Sequence, residues 1–132
     1  MEKKISQYNL SQQADLNGET DIFKQRVEVT EIVRRDRYLT YKETLDEYEI
    51  NVVLRLGEDY AKIQRRGIIN MNFYFAEGVR TDTFYESPAG KHHYQIETDK
   101  IDIQDDNICI EYTLFDGGDI LGEYKYQLQK VG

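Results

Sequence analysis

His92 and His93 stand side by side, and they are the only histidines in the chain. On a strand, neighbouring side chains point to opposite faces, so this pair does not ligate one ion in regular geometry. Glu86 and Glu97 are the nearest acids, with no recurring ligand spacing of the kind a zinc site needs. The acidic turn Asp102–Asp106 lacks the spaced ligands and closing bidentate Glu of a calcium loop. Ser87 lies near His92 but precedes Pro88 in a turn, and no Gly-x-Ser-x-Gly elbow surrounds it. Cys109 is the single cysteine, which excludes an intramolecular disulfide and a thiolate-rich zinc centre. With no basic residue near it in sequence to activate it, it reads as a covered, inert thiol. Gly117-Gly118 leads into a strand pattern, whereas a phosphate cradle leads into a helix. The 25 acidic residues select no opposed carboxylate pair of the glycosidase kind. The sequence therefore assigns no catalytic residue, no metal and no cofactor.

Tyrosine carries what functional colour there is. Eleven occur among 132 residues, with five phenylalanines and no tryptophan. Each tyrosine offers apolar area plus one hydroxyl that needs a partner. By strand alternation, Tyr48, Met71, Phe73, Phe75, Tyr85, Tyr94, Tyr112, Tyr124 and Tyr126 fall on inward faces. Arg65 shares a face with Ala61 and Ile63, while Tyr60, Lys62, Gln64 and Arg66 share the other. An inward guanidinium needs a carboxylate, a polar network or an anionic ligand. Glu49, Glu97 and Glu111 all fall on outward faces, which leaves tyrosine hydroxyls, water or a ligand's head group for that role. The alternative is that Arg65 snorkels to the rim beside Gly67. The candidate ligand-binding set is Arg65, Tyr85, Tyr94, Tyr112 and Tyr124.

These residues need strands to hold them. Tyr48, Ile50, Val52, Leu54 and Leu56 alternate with Glu49, Asn51, Val53 and Arg55. Met71, Phe73 and Phe75 alternate with Asn70, Asn72 and Tyr74; Ile108, Ile110, Tyr112 and Leu114 alternate with Cys109, Glu111, Thr113 and Phe115. Such alternation marks strands with one buried and one wet face. Gly, Asn, Asp and Pro clusters punctuate the runs at 57–59, 77–78, 87–90, 105–107 and 116–119. The pattern predicts strands over 22–33, 37–43, 48–56, 60–66, 68–76, 79–86, 91–98, 101–104, 108–115 and 120–130. Hairpin-linked strands make a meander, and closing into a barrel hides its edges. A barrel of about eight strands is either filled by side chains or holds one small ligand. In residues 1–20 the apolar residues Ile5, Tyr8, Leu10 and Leu16 are sparse and fit neither period. The expected organisation is a mobile N-terminal arm over 1–21 and a single barrel domain over 22–132.

Three segments carry a resemblance: Ile63-Gln64-Arg65-Arg66-Gly67, Met71-Asn72-Phe73, and Tyr85-Glu86-Ser87-Pro88-Ala89-Gly90. Thr98, Ile101, Ile110-Glu111-Tyr112-Thr113-Leu114 and Leu121-Gly122 continue it in order. Over roughly residues 37–131 the chain resembles the YwiB-like family, small uncharacterised bacterial proteins. His92-His93 departs from the more apolar stretch of that pattern. The resemblance implies an all-β fold, a single antiparallel calycin-like (lipocalin-like) meander barrel, and brings no activity with it.

Seventeen basic against 25 acidic residues give a net charge of −8. Residues 1–66 hold 12 basic and 13 acidic side chains, and residues 67–132 hold 5 and 12. Nucleic-acid binders draw affinity from phosphate neutralisation, so neither nucleic acid nor an anionic membrane surface is an expected partner. Arg34, Arg35 and Arg37 form the one dense basic cluster, diluted by Glu31 and Asp36. No apolar run spans a bilayer and the first residues show no signal-peptide core, so a cytoplasmic location is expected. The expected function is non-catalytic binding of a small, partly apolar ligand inside the barrel. A filled barrel that binds a protein partner through the outward rings Tyr60, Tyr74 and Phe84 is the alternative.

Overall fold

A computed structural model of the chain describes residues 2–132. Ten strands follow one another: β1 (Lys3–Leu16), β2 (Glu19–Val33), β3 (Arg37–Leu45), β4 (Tyr48–Leu56) and β5 (Ala61–Arg66) make the first half. β6 (Asn70–Phe75), β7 (Arg80–Ser87), β8 (Gly90–Ile103), β9 (Asn107–Asp116) and β10 (Asp119–Lys130) make the second. Each pairs antiparallel with its chain neighbour, and β1 pairs with β10 to close the ring. The fold is an all-β, closed, antiparallel meander barrel with no helix among the described residues. No helix is therefore long and apolar enough to cross a membrane.

Alternation builds the wall. In β5, Ala61, Ile63 and Arg65 are buried while Lys62, Gln64 and Arg66 are exposed. The core gathers the inward side chains of every strand but β7, with Leu39, Leu54, Phe75, Ile96, Ile108, Ile110 and Leu128 fully enclosed. Burying an aliphatic or aromatic side chain stabilises the folded chain by about 1.5–3 kcal/mol.

The mobile arm over 1–21 is corrected for its described residues, Met1 lying outside them. Lys3–Leu16 is β1, laddered to β2 from Lys3↔Ile32 to Leu16↔Glu19 and to β10 from Tyr8↔Lys130 to Asp15↔Glu123. The inward face of β1 runs Tyr8, Leu10, Gln12, Ala14, of which only Tyr8 and Leu10 are large and apolar and fully buried. Polar and small residues suit the half of a strand that borders a cavity, and this thinned the expected pattern. Asn17 and Gly18, at φ 53° and 81°, make the two-residue turn into β2.

Further expectations change. The strands number ten, as the expected ranges do, but β1 is one of them and two expected ranges merge. The runs expected over 91–98 and 101–104 are one strand, β8, bent where its register with β9 shifts between Thr98 and Lys100. Tyr48, expected inward, is 44% exposed at the start of β4.

The ring is unevenly stitched. β2 meets β3 only over Thr30–Val33 and Arg37–Thr40, and β6 meets β7 only at Asn70↔Glu86 and Met71↔Tyr85. Side chains bridge these seams. Gln25 accepts the Thr44 N–H at 3.3 Å. Thr81 donates to the Tyr74 carbonyl at 3.0 Å, and Thr83 donates to that of Asn72. The seams divide the barrel into a four-strand part, β3 to β6, and a six-strand part, β7 to β10 with β1 and β2.

Candidate functional site

A cavity of about 480 Å³ opens at the end of the barrel where the β1–β2, β5–β6, β7–β8 and β9–β10 turns lie. Strand alternation aims the lining residues inward. β5 supplies Arg65, β7 Tyr85, β8 Tyr94, β9 Tyr112 and β10 Tyr124. All five sequence-selected residues thus border one space. Barrel width grows with strand number, so ten strands leave more interior room than eight.

Arg65 points inward and is buried, so the rim alternative does not hold. Its Nε donates to Glu43 Oε2 at 3.0 Å, and its Nη2 donates to Gln12 Oε1. Gln12 Nε2 donates in turn to Glu43 Oε1 at 3.0 Å, closing a triangle. Burial opposes the charge on Arg65, but Glu43, together with Tyr41 and Tyr112, outweighs it and holds the guanidinium pKa above its ordinary value. The expectation that inward faces lack acid is corrected by Glu43. It alternates with Leu39 and Tyr41 on β3, a spacing visible in the sequence. Gln12 lay in the segment read as an arm, and the Asn17-Gly18 hairpin signal was the clue to its strand.

Beneath this triangle Tyr41 and Tyr126 join hydroxyls at 2.8 Å. The cavity tyrosines differ from that pair. Among the described residues, no hydrogen bond to protein uses the hydroxyl of Tyr85, Tyr94, Tyr112 or Tyr124, or Nη1 of Arg65. No buried side-chain nitrogen or oxygen lacks a partner, so these groups lie at accessible surface. Burial pushes the pKa of Tyr112 up to about 12, with Arg65 opposing. Burial, then Tyr94, raises that of Tyr124. The Tyr112 and Tyr124 rings stack at 5.2 Å and 8°, and Phe73 meets Tyr112 edge-on at 5.9 Å. Such aromatic pairs stabilise by about 0.5–1.5 kcal/mol beyond area burial, which stiffens the wall.

Of the remaining candidates, His92 meets the cavity wall, its ring centroid 4.5 Å from that of Tyr94, and the others do not line the cavity. His92 lies 3.3 Å from Asp116 and His93 2.8 Å from Asp82, on exposed surface. No group of three or more His, Cys, Asp or Glu among the described residues is placed to hold a metal. Cys109 is buried despite its outward position, and burial raises its pKa. Ser87 accepts the Ala89 N–H at 3.2 Å, as a turn residue does.

The family model described as Domain of unknown function (DUF1934) matches residues 7–128. The chain belongs to this family. The match begins within β1, as a strand built into the barrel requires. Among solved structures, the ywiB protein from Bacillus subtilis is similar with a TM-score of 0.78 at 17% identity, covering 98% of this chain and 94% of that one. That likeness shows the fold, and it agrees with the resemblance read from the sequence. No curated protein matches the chain. The DUF1934 description carries no activity.

Proposed function

We propose that this DUF1934 protein is a non-catalytic, cytoplasmic binder of a small, partly apolar ligand held in the open end of the barrel. The observation that carries the reading is the pairing of an aromatic-walled cavity of about 480 Å³ with polar groups that no protein group engages. Ligand sites are typically apolar clefts of about 300–1,000 Å³ with a few placed polar anchors. The calycin-like, lipocalin-like reading fits, since such barrels hold one small ligand in this way. Lys24, Arg26, Glu28, Lys62, Gln64 and Arg66 are all exposed on the outer wall, which is a surface for water rather than lipid.

The partner-binding alternative rests on the outward rings, and these already face neighbours. Tyr60 stacks on Tyr74 at 5.6 Å and donates to Asp36, and Phe84 sits under Lys91 and beside His93. The cavity is the better-supported site. Native mass spectrometry of protein purified gently from its own host should show a retained small molecule. Ala14→Trp, which fills the cavity from β1, should lose it. The reading falls if the protein carries nothing out of its host and no member of a diverse small-molecule set raises its melting temperature.

A further inference from the structure

The cavity's one deep cation is already matched. Arg65 and Glu43 lie 3.0 Å apart, with side chains only 10% and 9% exposed. A ligand carboxylate brought to Arg65 would come close to Glu43, and like charges in a desolvated site repel strongly. Asp21 and Lys125 both border the cavity, so their charges offset, and the molecule as a whole carries −8. Neither the site nor its surroundings rewards an anion.

What Arg65 does retain is donor capacity. A guanidinium has five N–H groups, and Glu43 and Gln12 take one each. Nη1 lies at accessible surface beside the cavity tyrosines. A neutral acceptor such as a ketone, amide carbonyl or ring nitrogen takes such a hydrogen bond without adding charge next to Glu43. The stacked Tyr112 and Tyr124 rings, with Phe73 against them, make the wall flat and aromatic. We propose that the ligand is a flat, electrically neutral molecule carrying a hydrogen-bond acceptor for Arg65, and that the Arg65–Glu43 pair excludes anions. This rests on the ligand-binding reading above and adds the class of ligand to it.

Two naphthalene dyes test the charge rule by fluorescence titration. Prodan is neutral and carries a ketone; toluidinonaphthalene sulfonate is an anion on a similar ring system. The parent should bind prodan at least about tenfold more tightly, and Glu43→Gln should tighten sulfonate binding by about tenfold. The double variant Arg65→Met with Glu43→Met should fold and bind prodan with bluer emission, because the ketone has lost its donor. Equal or tighter sulfonate binding by the parent overturns the proposal on its own, whatever the variants do. So does an unshifted prodan emission in the double variant. If Ala14→Trp binds both dyes as tightly as the parent, the dyes are not in the cavity and the proposed ligand class fails, while the binding reading stands or falls on the retained molecule.

Discussion

Arg65 and Glu43 are more costly to separate than to remove together. Arg65→Met leaves the Glu43 carboxylate enclosed with only Gln12 as partner, and losing one member of a buried pair costs about 3–5 kcal/mol. Replacing both by methionine removes the orphaned charge and should cost far less. Urea unfolding of the two variants checks this: the double variant should have the higher midpoint. The tyrosines set a second expectation. Burial holds the pKa of Tyr112 at about 12, against 10 in an unfolded chain. A raised folded pKa means stability that is fully present below pH 10 and lost as the pH climbs toward 12. Burial raises Tyr41 and Tyr126 in the same direction, so they deepen that loss. The unfolding free energy measured at successive alkaline pH values should fall through this window, with tyrosinate absorbance appearing as the chain opens.

At the level of the strand, β1 supplies Tyr8 and Leu10 to the core, Gln12 to the Arg65 triangle, and the ladder that joins β2 to β10. Removing residues 3–16 should abolish cooperative thermal unfolding, read by far-UV circular dichroism. A stable, two-state core after trimming would show that β1 is dispensable. Gly18→Val places a branched side chain at φ 81° and should cost about 1–2 kcal/mol without moving the cavity. The sequence was legible wherever a strand buries one whole face. Ile50, Val52, Leu54 and Leu56 of β4 lie inside as alternation predicts. It was illegible where a strand changes its task along its length. The inward face of β1 passes from Tyr8 and Leu10 in the core to Gln12 and Ala14 at the cavity, and hydrophobic alternation has nothing to register in the second half. The candidate site was half legible for the same reason. Tyrosines and Arg65 stand out on inward positions, but Glu43 fell at the end of its expected strand, beyond the residues weighed as partners. A paired charge looked unpaired until β1 and β3 were both in place.

Across the whole molecule, the two lightly laddered seams should be the softest parts of the wall. Local opening is cheapest where few hydrogen bonds must break. Hydrogen exchange should find amides of residues 19–29 in β2, 72–75 in β6 and 80–84 in β7 unprotected at alternate positions. Those of β9, laddered on both sides from Ile108 to Leu114, should exchange slowest. Uniform protection around the ring would contradict this.

The seam that closes the ring joins β1 to β10, the first strand to the last. During synthesis β1 therefore emerges long before its second partner exists. A nascent chain can zip β1 against β2, and then each later hairpin in turn, but it carries two open edges until β10 has left the ribosome. Those edges are templates for pairing with another chain. Contacts so distant in sequence are slow to form. The chain is thus open to self-association for as long as β10 is not in place beside β1.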